Sequence, residues 1–137
     1  MIMRLIIVII LLVLSQSANS YESERILANE QFVRGTELLK RESKEFDPKA
    51  GLKLLLESAK HKYQLAPFGL CVALSVTPEI LDLKEAYSWC YVAEKIGDKF
   101  SALATKQGLK ILETLEQNEG ASSVNQAKEM GISKYRQ

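Results

Sequence analysis

The stretch Asp82-Leu-Lys-Glu85-Ala86-Tyr-Ser-Trp89-Cys90-Tyr-Val-Ala93-Glu-Lys-Ile96-Gly97-Asp98 decides how the rest of the chain is read. Ala86, Trp89, Cys90, Ala93, Ile96 and Gly97 fall at helical spacing, so one face of a helix here is small or apolar. Asp82 with Glu85 three residues on has the form of a capping box. Gly97 is placed to stop the helix before Asp98.

Working outward, the preceding run Pro67 to Val76 is the most apolar part of the chain after its N-terminus. Its length suits a strand or a buried helix, and periodicity does not separate the two. No second strand candidate exists to pair with it, and a lone strand would leave its backbone groups without partners, so it is read as a helix. Thr77-Pro78 ends it, and Glu79 to Leu81 connects it to Asp82. Further upstream, Ala28, Phe32, Gly35 and Leu39 form a stripe within a helix expected over 21–43. Asp47-Pro48 then supplies an N-cap residue with proline at the first helical position. Leu52, Leu55, Leu56 and Ala59 make the apolar face of the helix that follows, whose exit lacks a glycine. Downstream of Asp98, Leu103, Ala104, Gly108, Ile111, Leu112 and Leu115 predict another amphipathic helix. Glu116 to Gly120 is expected to be a loop, with Ser123 and Gln126 as a capping box for a last helix carrying Val124, Ala127, Gly131 and Tyr135. The connections are short, so neighbouring helices should be antiparallel. The expected fold is all-α, three antiparallel helical hairpins stacked as a short superhelix.

The hairpins share a pattern. Gly35, Gly69 and Gly108 each sit in the first helix of a proposed hairpin, 34 and 39 residues apart, and each is followed at plus three and plus four by apolar pairs. A glycine inside a helix costs about 1 kcal/mol relative to alanine, so the recurrence points to close backbone packing. Ala86-x-x-Trp89-x-x-x-Ala93-x-x-x-Gly97-Asp98 resembles the second helix of a Sel-1-like repeat, a relative of the tetratricopeptide repeat. The specific motif is confined to 82–98. Around Asp47-Pro-Lys-Ala50 the entry matches, but Lys53 or Leu54 replaces the tryptophan and His61 or Lys62 stands where glycine is expected. The resemblance implies a non-catalytic adaptor whose stacked hairpins bind a protein or peptide partner. It casts Gly35, Gly69, Ala86, Trp89, Ala93, Gly97 and Gly108 as repeat packing residues, and a groove on the first helices around Arg34, Glu37 and Arg41 as the partner site. The alternative is a small structural, chaperone-like or inhibitory helical domain that uses one exposed patch.

The N-terminus bears on location. Arg4 is followed by an unbroken apolar run, Leu5 to Leu14, and then by small residues with Ala18 and Ser20 ahead of Tyr21. This is secretory signal-peptide anatomy, and the run falls short of the roughly 20 apolar residues a spanning helix needs. Residues 1–20 are therefore expected to be removed, leaving 21–137 as one exported domain, periplasmic or secreted, with no stable membrane anchor. Without Arg4 the 18 basic residues become 17, balancing the 17 acidic ones, and a neutral chain does not fit a nucleic-acid binder.

In an exporting context Cys71 and Cys90 are disulfide candidates. They are equidistant from the Ile80–Leu81 connector, so in an antiparallel pair they lie at the same height. Otherwise they would serve as small buried apolar residues. Trp89 is read as core, whereas Tyr87 and Tyr91 lie on another face and are candidates for a groove or a neighbouring repeat. His61, between Lys60 and Lys62, is expected at the surface, as one histidine cannot assemble a metal site or a nucleophile–base pair. Glu42 with Glu45 and Glu113 with Glu116 have helix-surface spacing beside lysines, which ion pairing explains. No metal, cofactor or catalytic constellation is expected.

Overall fold

A computed structural model describes residues 2–137, with side chains for residue 10 and residues 12–137. The expected signal peptide falls partly on residues outside that description. Among the described residues the chain is wholly helical: α1 (Ile2–Leu38), α2 (Pro48–Lys60), α3 (Ala66–Val76), a single 3-10 turn at Pro78–Ile80, α4 (Leu83–Ile96), α5 (Ser101–Glu119) and α6 (Ala121–Tyr135).

Helix α1 continues without a break through residue 20, and residues 12–27 are all exposed. Ala28 is the first described residue to be buried. The helix stops at Leu38, earlier than the expected Ser43, because the Leu38 carbonyl accepts the Asp47 N–H at 2.9 Å instead of continuing the helix. The Asp47 carboxylate then accepts the Ala50 N–H at 3.1 Å, with Pro48 in the first turn. This cap turns the chain back along α1. The buried Ser58 hydroxyl donates to the Ala28 carbonyl at 2.7 Å, and Tyr63 donates to Asn29 at 2.9 Å, which fixes an antiparallel register.

The exit of α2 answers the missing glycine. Lys62 adopts φ 59°, and among the described residues it is the only non-glycine with positive φ. Its N–H donates to the Ala59 carbonyl at 3.0 Å while the Tyr63 N–H donates to Ser58 at 3.1 Å. These paired bonds close the helix end as a Schellman motif, with lysine in the left-handed position that glycine usually fills.

The apolar run is helix α3, as the pairing argument required. It packs against α4, and Cys71 and Cys90 are disulfide-bonded across that contact with Cα atoms 4.8 Å apart. Both cysteines are buried, among Leu70, Leu74, Ala86, Ile111 and Leu115. Closing this loop contributes roughly 3 kcal/mol in the chain-entropy account. Helix α4 is the hub, packed against α3, α5 and α6.

Its start is half a capping box. Asp82 accepts the Glu85 N–H at 3.0 Å, but the Asp82 N–H donates to Leu74 and the Glu85 carboxylate turns away to Lys134. Gly97 ends it at φ 72°. Asp98 accepts the Phe100 N–H, and the Ser101 hydroxyl returns to the Glu94 carbonyl, so α5 begins almost at once.

The C-terminal pair corrects two expectations. No loop spans Glu116 to Gly120: α5 runs to Glu119, and Gly120 at φ 86° is the sole joint to α6. Ser123 is not a cap. It lies inside α6, and its hydroxyl donates to the Glu119 carboxylate at 2.8 Å across the joint.

Candidate functional site

A cavity of about 730 Å³ lies where α2, α4 and α6 approach one another. Helix α4 contributes Trp89, Val92 and Ile96, one stripe running along about 10 Å of helix at a rise of about 1.5 Å per residue. Helix α2 contributes Leu56, Ala59 and Lys60, and the segment after it adds Lys62, Tyr63 and Gln64. Helix α6 supplies Lys134 and Tyr135. Leu56 and Ile96 keep more than a third of their surface in solvent (39% and 38%), although each belongs to an apolar helix face. The groove is therefore apolar and open.

Trp89 lines it and is not a fully buried core residue. It is half-buried, packed against the core on one side and lining the groove on the other. The Lys134 ammonium sits 4.3 Å above its ring and also pairs with Glu85, so indole, cation and carboxylate form a stack joining α4 to α6. The indole Nε1 is buried and has no hydrogen-bond acceptor.

The charge on the groove is one-sided. Lys60, Lys62 and Lys134 line it, and among the described lining residues there is no aspartate or glutamate. Lys134 is partnered by Glu85, but Lys60 and Lys62 have no carboxylate within ion-pair distance among the described residues.

The residues singled out in the sequence fall in other places. Arg34 is paired with Glu45 at 2.6 Å, and the hydrogen bond and the charge of that guanidinium hold the Glu45 carboxyl below its ordinary range. Glu37 pairs with Lys40 at 2.7 Å. Arg41 donates to both oxygens of Glu79 at 3.0 Å and covers the Phe46 ring. These side chains tie the α1–α2 turn to itself and to the 3-10 turn, and they do not border the groove. His61 is half-buried beside the groove and lines a smaller cavity with Tyr21, Glu24 and Arg25.

The small residues lie at helix contacts. A Cβ on Gly69 would stand 2.9 Å from the Phe32 ring of α1, and one on Gly108 would meet Tyr87 at 3.4 Å and Cys90 at 3.5 Å. Ala86 and Ala93 are buried. A Cβ on Gly97 would meet nothing within 4 Å, so its φ, and not packing, calls for glycine. Tyr87 and Tyr91 both face the following pair of helices, Tyr91 lying against Gly131 and edge-on to Tyr135. Burial pushes the Tyr87 phenol above its ordinary value.

Sequence reasoning missed the groove and the close approach at Gly51, while Gly131, expected on the stripe of the last helix, lies against Tyr91. The available signal for the groove was an apolar stripe on α4 wider than one neighbour covers. Comparison with protein-family models, with characterised proteins and with solved structures gives no match to this chain.

Proposed function

We propose that the chain is an exported, non-catalytic helical-repeat protein that holds a protein or peptide partner in the groove between α2, α4 and α6. The groove itself carries this reading: it is an open apolar trough lined by a tryptophan and by lysines. An uncovered apolar concavity of this kind is how helical assemblies seat partner segments.

The repeat reading, three stacked hairpins of Sel-1-like type, draws support from equivalent contacts along the chain. Phe32 of α1 meets Gly69 of α3, and Ser75 of α3 accepts from Gln107 of α5, so the first helices of the hairpins adjoin in sequence order. Tyr91 against Gly131 does the same for the second helices α4 and α6. Export is supported by the signal-like N-terminus, by the disulfide, and by burial that among the described residues begins only at Ala28, past the expected cleavage point. Among the described residues no helix is long and apolar enough to cross a membrane.

The test is a crosslinking pull-down from intact cells with the native chain and with Leu56→Glu and Ile96→Glu variants. Both side chains are exposed enough to be replaced without opening the core. A partner recovered by the native chain and lost by both variants is the expected result. Equal recovery by all three moves the binding surface away from the groove.

A further inference from the structure

We propose that the groove selects an extended acidic segment carrying an apolar side chain between its carboxylates. This rests on the peptide-binding reading above and adds the chemistry of the partner. Two observations carry it.

The first is the unbalanced charge. Lys60 and Lys62 stand on the α2 side of the groove without acidic partners among the described residues, and Lys134, paired with Glu85, stands on the α6 side. The chain as a whole is nearly neutral, with 18 basic and 17 acidic residues, so a groove whose described lining side chains include three lysines and no aspartate or glutamate is a local departure from its own composition. Charges of one sign along an apolar cleft attract the opposite sign and disfavour a basic partner.

The second is the spacing of the apolar surface. Trp89, Val92 and Ile96 present about 10 Å of helix, which about three residues of extended chain would cover at about 3.3 Å each. A segment of that length sets one apolar side chain against Val92 and Ile96 while its neighbours reach the lysines. Val92 and Ile96 give the floor its apolar surface, while Lys134 stands over Trp89 and Lys60 and Lys62 line the α2 side, so the anchor gives affinity and the charges give selectivity.

Trp89 is the chain's one tryptophan, so its emission reports the groove directly. The test titrates the native chain with synthetic peptides sharing one apolar core and flanked by glutamates, glutamines or lysines. The expected result is a Trp89 emission change with the glutamate peptide at about tenfold lower concentration than with the glutamine peptide, as expected for two or three exposed charge pairs. That preference should shrink as salt is raised, and Lys60→Gln with Lys62→Gln should remove most of it while leaving the thermal melt in place.

Equal binding of the glutamate and glutamine peptides overturns the acidic preference and leaves the peptide groove standing. Failure of every peptide, with an emission change produced by laurate alone, overturns both in favour of a small apolar anion. No response to any of these probes overturns the groove as a binding site.

Discussion

Gly35 and Gly51 stand opposite each other where α1 meets α2, and neither has room for a methyl group. A Cβ on Gly35 would lie 3.0 Å from the Gly51 carbonyl oxygen, and one on Gly51 would lie 2.8 Å from the Gly35 carbonyl oxygen and 3.0 Å from Leu39. At an unencumbered helix site, glycine to alanine gains about 1 kcal/mol. Here backbone faces backbone, so Gly51→Ala must separate the helices, and the expected outcome is a net loss of about 1–3 kcal/mol. Urea denaturation measures it, and a gain would show that α1 moves freely on α2.

The two left-handed helix ends make an opposed pair. Lys62 holds φ 59° with a side chain, and Gly97 holds φ 72° without one. Lys62→Gly should raise stability by about 0.5–1 kcal/mol and Gly97→Ala should lower it by about 1 kcal/mol, since the left-handed region costs an L-residue about 1–2 kcal/mol. Thermal melts of the two variants should shift in opposite directions.

Removing the Cys71–Cys90 bond should be costly for a chain of this size. The double variant Cys71→Ala, Cys90→Ala leaves no buried polar group behind and should lose about 3 kcal/mol. Denaturation with and without reductant checks it: reductant should destabilise the native chain and leave the double variant unmoved.

Trp89 offers a test of shape against polarity. Trp89→Phe keeps an aromatic ring beneath Lys134 and removes an N–H that has no acceptor, so stability should change by less than about 1 kcal/mol. Trp89→Ala withdraws the packing against the core and should cost about 2–3 kcal/mol, below the full range for a wholly buried aromatic. If the phenylalanine variant fell as far as the alanine one, the indole N–H would have a partner after all.

Two groups contribute to the pH response at opposite ends. The Ser123 hydroxyl, then the Lys84 ammonium, hold the Glu119 carboxyl below the ordinary 4.5. Its contribution is therefore present above that value and lost as pH falls through the lowered folded value. Ser123→Ala should move the Glu119 carbon resonance in an NMR titration toward the ordinary midpoint. Tyr87 acts in the other direction: burial raises its phenol above the ordinary 10.0, so its contribution is present below pH 10.0 and lost as pH rises through the raised value. In a phenolate absorbance titration, Tyr87→Phe should delete a component from the high-pH end.

Much of the helical layout was legible because its boundaries are chemical. Asp47-Pro48, Asp82 and Gly97 act locally, through bonds to residues three or four away, so their effect is visible in one dimension. The misread boundaries lack such a local signal. Leu38 ends α1 because Asp47 comes back to it, and the polar run before Gly120 stays helical because nothing in Glu116 to Glu119 breaks a helix. Ser123 looked like a cap, but its hydroxyl is engaged by Glu119 across the joint. The groove was illegible for a related reason. An apolar stripe shows that part of a helix avoids water, while only the arrangement of α2 and α6 shows that Val92 and Ile96 have nothing laid over them. The surface expected to bind a partner, around Arg34, Glu37 and Arg41, is a different one, where Arg34 and Arg41 pair with Glu45 and Glu79.

The disulfide joins two helices that are consecutive in the chain, so it does not bind one end of the molecule to the other. Only 19 positions separate its cysteines, and so local a hairpin assembles early, before distant contacts form. In an oxidising compartment α3 and α4 can thus be locked together while α1, α2, α5 and α6 are still unplaced. The middle of the chain would then be the template on which both flanks condense, α5 and α6 onto α4 and the first pair onto α3. Hydrogen exchange in the native protein should preserve that order in reverse, with α3 and α4 the last helices to surrender their amide protons.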